Sequence, residues 1–72
     1  MKSVLVIDDD PLIRKTLSSH LTRQGYEVSQ AEDGEGGVKK YLECSPELVL
    51  LDVRLPDIDG LEVLRRIKEK NK

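Results

Sequence analysis

Val4-Leu5-Val6-Ile7-Asp8-Asp9-Asp10-Pro11 is the stretch on which the fold turns. It opens with four apolar residues, most of them β-branched. Such an unbroken run fits a strand buried on both faces, as in a parallel sheet. The run stops at three aspartates. Asp10 is a good helix N-cap, and Pro11 suits the first helical turn. A buried strand that feeds a helix through a short acidic turn is the start of a βα unit.

Working outward, the pattern repeats. The sequence predicts strand β1 over 3–7 and helix α1 over 11–24, with Ile13, Leu17, His20, Leu21 and Gln24 at helical spacing. His20 falls on the expected core side, where a packed or half-exposed histidine outweighs a phosphohistidine. Gly25 is placed to end α1 in a left-handed conformation. Residues 26–30 alternate apolar and polar and predict a more exposed strand β2 at a sheet edge. A turn, Ala31-Glu32-Asp33-Gly34, leads to helix α2 over 35–43, with Val38, Tyr41 and Leu42 facing the core. Gly36 and Gly37 each cost α2 on the order of 1 kcal/mol relative to Ala, so it is expected to be the weakest helix. After Ser45-Pro46, a second buried run gives strand β3 over 48–52, ending on Asp52. Asp59 can cap helix α3 over 60–70, whose apolar stripe reads Leu61, Leu64 and Ile67 with Val63 alongside. Its polar tail is expected to fray.

Strands alternating with helices predict an α/β fold with a parallel sheet and right-handed crossovers. The chain has 72 residues, enough for one domain, 36% of them charged and 38% hydrophobic. That balance fits a globular chain and excludes a disordered or membrane-spanning one. The net charge of −2 and the lack of a basic cluster argue against nucleic-acid contact from this segment. Cys44 is the single cysteine, so no internal disulfide can form and a reducing compartment is expected. It reads as a half-buried helix-end residue and not as a reactive thiol. The first apolar run is too short for a signal peptide or a span, which points to the cytoplasm.

Ligands of open α/β sheets bind beyond the carboxyl ends of the strands. Asp8, Asp9 and Asp52 all fall at that edge. Three converging carboxylates repel one another, and a hard divalent cation compensates them directly. The plainer reading, that aspartates cap helices, accounts for Asp10 and Asp59. It accounts poorly for Asp8, Asp9 and Asp52.

Val4 to Asp10, the turn Ala31-Glu32-Asp33-Gly34 and the segment Leu48 to Gly60, with its Pro56-Asp57-Ile58-Asp59-Gly60 loop, resemble the CheY-like receiver domains of response regulators. The resemblance runs the length of the chain with its pieces in order. It implies a three-layer flavodoxin-like fold with units β1α1β2α2β3α3 and strand order 2-1-3. It implies that Asp52 accepts a phosphoryl group from a sensor histidine kinase or a small acyl phosphate. Asp8, Asp9, Asp52 and the backbone carbonyl of Arg54 would hold Mg²⁺. The Arg54 side chain would be a solvated loop residue or reach over the site.

Family members carry five βα units. The units after the third would supply a Ser/Thr and a Lys that contact the phosphoryl oxygens and drive a switch. No residue of this chain takes either role. A switch-incompetent fragment with an exposed β3 edge is therefore expected, prone to self-association through that edge or by exchange of elements. The alternative is a half-domain that only assembles. A phosphatase with an aspartate nucleophile ranks low, because Arg54 stands where its acid/base aspartate would be. Receivers act on their own phosphoryl group only, so an enzyme acting on other substrates is not expected.

Overall fold

The computed structural model describes residues 2–52 and 55–70. Its elements are β1 (Ser3–Ile7), α1 (Pro11–Arg23), β2 (Glu27–Ala31), α2 (Gly34–Cys44), β3 (Leu48–Leu51) and α3 (Gly60–Lys70). The strands form one parallel sheet in the order β2-β1-β3, the order the receiver resemblance implies. Val4, Leu5, Val6 and Ile7 are all almost fully buried, because β1 is central and helices lie on both faces. Burying side chains of this size stabilises by about 1.5–3 kcal/mol each.

Successive residues of a strand face opposite ways. On one face, Leu5, Ile7 and Ala31 meet Val63 and Ile67 of α3, with Val38 and Tyr41 of α2 packed around them. On the other face, among the described residues, lies α1 alone. Val6 and Leu50 there border an open cleft with Ile13 and Leu17 of α1. Leu48 at the start of the β3 edge is 50% exposed.

Helix ends explain several differences from the sequence reading. α1 stops at Arg23, one residue before its predicted end. Gln24 is the cap, and Gly25 adopts φ 94°. The Gly25 N–H donates to the Thr22 carbonyl and the Tyr26 N–H to that of Leu21, each at 3.1 Å. That is a Schellman closure. It occupies the Tyr26 N–H, so β2 starts at Glu27 and runs to Ala31, which pairs with Ile7. α2 is longer than predicted at both ends. Asp33 caps it by accepting the Gly36 N–H at 2.7 Å, and Ser45 closes it at φ 47°. β3 ends at Leu51, although the Asp52 N–H still donates to the Ile7 carbonyl at 3.0 Å.

The buried faces of the helices also differ. α1 buries Ser18 and leaves Ile13, Leu17 and His20 exposed. The sheet beneath its Ile13–Leu17 side carries no second helix among the described residues. Leu42 of α2 is exposed, and Cys44, its last residue, is exposed with Sγ accepting from Ser29 Oγ at 3.6 Å. In α3 the buried line is Gly60, Val63 and Ile67, while Leu61 is 69% exposed. Asp59 starts that helix as expected, accepting the Glu62 N–H at 2.9 Å.

The glycines of α2 have a structural reason. A Cβ at Gly37 would lie 2.5 Å from Ile7 Cδ1 and about 3 Å from its other branch atoms. A Cβ at Gly34 would collide with Ile58. The helix gives up propensity to sit close against β1 and the chain leading into α3.

Two substitutions test this packing. Gly37→Ala gains about 1 kcal/mol of helix propensity, but Ile7 is fully enclosed and cannot swing aside. Overpacking costs about 1–3 kcal/mol, so a lower urea midpoint is expected. Ser18→Ala should raise the midpoint, because the buried Ser18 hydroxyl has no hydrogen-bond partner among the described residues.

Candidate metal centre

The parallel register sets the site. Ile7 pairs with Leu51, so the residues that follow, Asp8 and Asp52, leave adjacent strands side by side. The Asp8 N–H donates to the Ala31 carbonyl at 3.1 Å, which continues the ladder on the other side. One carboxylate oxygen from each of Asp8, Asp9 and Asp52 lies within 4.8 Å of the others. Asp8 and Asp52 are half-buried and Asp9 is exposed. Arg54 lies outside the described residues.

The turn that carries these acids is held by its own polar groups. An Asp8 carboxylate oxygen accepts the Asp10 N–H at 3.0 Å. Asp10 then caps α1 through the Leu12 and Ile13 N–H groups at 2.9 and 3.3 Å. Arg14, one turn into α1, donates from its guanidinium to the Asp8 backbone carbonyl at 2.8 Å. It brings a fixed positive charge to the foot of the cluster. Sequence reasoning missed Arg14. Its signal is its place one turn after the cap, on the side of α1 that faces the acidic turn.

The donor set is all hard oxygen, which suits Mg²⁺ or Ca²⁺ over softer metals. Octahedral Mg²⁺ with bonds of about 2.1 Å spans oxygens up to about 4.2 Å apart. A small side-chain adjustment or one bridging water closes the difference. Asp8 and Asp52 line a cleft of about 510 Å³ together with Val6, Ile13, Leu17 and Leu50. A second cleft of about 570 Å³, between Arg14 and Lys39, mixes both charges and excludes the acidic cluster.

The loop before α3 holds another residue that sequence reasoning passed over. Asp57 reaches across to α2, 22 residues away from its nearer partner. Its two carboxylate oxygens accept the Gly34 and Glu35 N–H groups, each at 2.8 Å. Partial desolvation works to raise the Asp57 carboxyl. The backbone donors of Glu35, Gly34, Ile58 and Asp57 itself together outweigh it and hold the group below its usual range. Beside it, Arg66 of α3 pairs with Glu35 of α2 at 2.9 Å and with Glu62 at 3.0 Å. Hydrogen bonds from Arg65 and then Arg66 pull Glu62 down to about 2 from its ordinary 4.5.

Comparison with known proteins places this geometry among relatives. The model of the response regulator receiver domain matches residues 4–72. The chain is 53% identical over 68 residues to the transcriptional regulatory protein AfsQ1 of Streptomyces coelicolor, covering 94% of this chain and 30% of that protein. It is 39% identical to the chemotaxis protein CheY of Bacillus subtilis, covering 92% of this chain and 56% of CheY. The response regulator TrrA of Thermotoga maritima, solved in complex with Mg²⁺-BeF, is 46% identical with a TM-score of 0.91. That match covers 97% of this chain and 61% of the TrrA chain. TrrA in complex with the histidine kinase ThkA matches with a TM-score of 0.89 at the same identity, covering 97% of this chain and 60% of that one. The chain thus spans less than two thirds of these relatives.

A pH dependence follows from the two lowered carboxyls. A group whose folded pKa is depressed adds stability above its unfolded pKa and loses it as pH falls through the folded one. Urea midpoints should therefore hold steady at neutral pH. They should drop as pH falls from about 4.5 toward 2, the interval between the ordinary and folded values of Glu62. Glu62→Gln should flatten part of that fall, and an unchanged acid profile in this variant would refute the assignment.

Proposed function

Because this chain belongs to the response regulator receiver domain family, we propose that Asp52 is its phosphoacceptor and that Asp8, Asp9 and Asp52 hold Mg²⁺. Receiver domains are the signalling modules of two-component systems, and the family binds Mg²⁺ at an acidic site. The observation that carries the assignment is the convergence of three carboxylates, from adjacent strand ends, within 4.8 Å. The Arg54 backbone carbonyl is the further ligand in this reading. When bound, Mg²⁺ supplies positive charge to the phosphoryl oxygens.

The residues of the chain do the rest. Asp9, the most exposed of the three, is open to the metal and its waters. Asp8 is held by the Asp10 N–H and anchored through its carbonyl by Arg14, so its carboxylate is pre-oriented. An Asp52 carboxylate oxygen attacks phosphorus in line with the leaving group. The new O–P bond forms as the N–P bond of a phosphohistidine breaks, and the imidazole nitrogen leaves with the electron pair. A sensor histidine kinase is the proposed donor, and the TrrA–ThkA complex supports it by similarity. A cytoplasmic setting goes with this reading. No helix among the described residues is long and apolar enough to cross a membrane.

A second reading rests on a separate observation. β3 is an edge strand, and Leu48, Ile13 and Leu17 beside it are exposed. Unpaired apolar edges invite pairing with another chain. In this reading the chain assembles with its own copies through β3 or by exchanging elements, and it receives no signal.

One titration separates the two. With Mg²⁺ and beryllofluoride, the acceptor reading expects saturable binding that Asp52→Asn abolishes and Asp9→Asn shifts to higher metal. Acetyl phosphate should add one phosphoryl group by mass, again lost in Asp52→Asn. No binding at millimolar metal, together with light scattering that reports an oligomer, would favour the assembly reading.

A further inference from the structure

The amino end of α2 is capped from two places. The side chain of Asp33, its own cap, accepts the Gly36 N–H at 2.7 Å. The two leading donors, Gly34 and Glu35, go to Asp57, in the chain that follows Asp52. A helix leaves its first N–H groups without internal partners, and any acceptor placed there is held firmly. A carboxylate that takes two such donors at once is fixed in position and in orientation.

Two further contacts bind the same segments. Ile58 lies so close over Gly34 that no Cβ fits between them. Arg66 joins α3 to Glu35 in the first turn of α2, with Glu62 as its second partner. At its far end the segment enters α3 through the Asp59 cap. At its near end the Asp52 N–H is tied to Ile7. Asp57 is the sideways tie between these two fixed points.

We infer that Asp57 is a positioning residue for the acceptor site, holding the segment 55–59 against the amino end of α2 close in sequence to the strand end that carries Asp52. The consequence for metal binding rests on the acceptor reading above. Mg²⁺ demands near-ideal octahedral geometry, so it is sensitive to small displacements of its ligands. Groups that orient ligands without touching the metal commonly change affinity by about 10–100-fold. A residue that only caps α2 would affect stability and leave the metal site alone.

The test uses the full chain with Asp57→Ala, Asp57→Asn and Ile67→Val. Asn keeps one acceptor oxygen, so it retains one of the two bonds and guards against loss of folding in the Ala variant. Ile67→Val loosens the core toward the carboxyl end of α3 and serves as the stability control. In metal-free protein, amide NMR signals of Asp52 and of 55–59 should move in Asp57→Ala, less in Asp57→Asn and not in Ile67→Val. Mg²⁺ affinity should fall about tenfold in Asp57→Ala, by an intermediate factor in Asp57→Asn, and hold in Ile67→Val. Unchanged affinity in both Asp57 variants, or an equal loss in Ile67→Val, overturns the positioning role. If the wild-type chain shows no saturable Mg²⁺ binding, the acceptor reading fails separately. The Asp52 amide then decides: a shift in Asp57→Ala supports positioning, and an unmoved signal overturns it.

Discussion

The register between β1 and β3 is the constraint on which the rest depends. It is pinned by the Asp52 N–H to Ile7 carbonyl bond and by the pairing of Ile7 with Leu51. In a strand, a slip of one residue turns every side chain to the other face. Here a slip would take Leu5 and Ile7 away from α3 and separate Asp8 from Asp52. The core and the acidic cluster are thus two results of one pairing. The same bonds that bury four apolar residues of β1 bring like charges together at its end. A cation bound there would offset a repulsion that the sheet imposes.

Around that pairing, the two faces of the sheet are unequal. The face of Leu5 and Ile7 carries α2 and α3, locked together by close glycine approaches, Asp57 and the Arg66 pairs. Among the described residues the face of Val6 and Leu50 carries α1 only, and Asp8 and Asp52 open onto the cleft beside it. One side of the acidic cluster is therefore backed by two packed helices and the other opens onto a cleft. Surface ion pairs are individually weak. The Arg66–Glu35 pair acts by geometry, since it joins α3 to the first turn of α2, which Asp57 also holds.

α2 illustrates how local and global demands diverge. By propensity it is a poor helix, with glycines at 34, 36 and 37. Two of them are buried and let it approach Ile7 and Ile58 within distances that a Cβ would forbid. Its amino end is finished by a carboxylate from a different part of the chain. Asp57 reads in sequence as an ordinary loop acid, because nothing local marks a partner more than 20 residues away.

The sequence by itself determined the βα alternation and the parallel sheet, while the strand order came only through the family that its motifs resemble. The first two follow from patterns of short range: continuous apolar runs, caps and breakers within a few residues of them. It also marked Asp8, Asp9 and Asp52, because acids directly after buried strands have no simpler use. The spacing placed Val38, Tyr41, Val63 and Ile67 on the core side, as found, but only the tertiary structure decided how far each buried face extends. Leu61, Leu42, Ile13 and Leu17 look like core by spacing, yet lie exposed, because a helix buries whatever faces an existing neighbour. Ser18 is buried for the same reason. Tertiary structure also decided the strand and helix ends, where a Schellman closure or a cap competes with pairing. The tie from Asp57 to α2 belongs to it as well, since that bond exists only once β3 and α2 are packed on the same sheet.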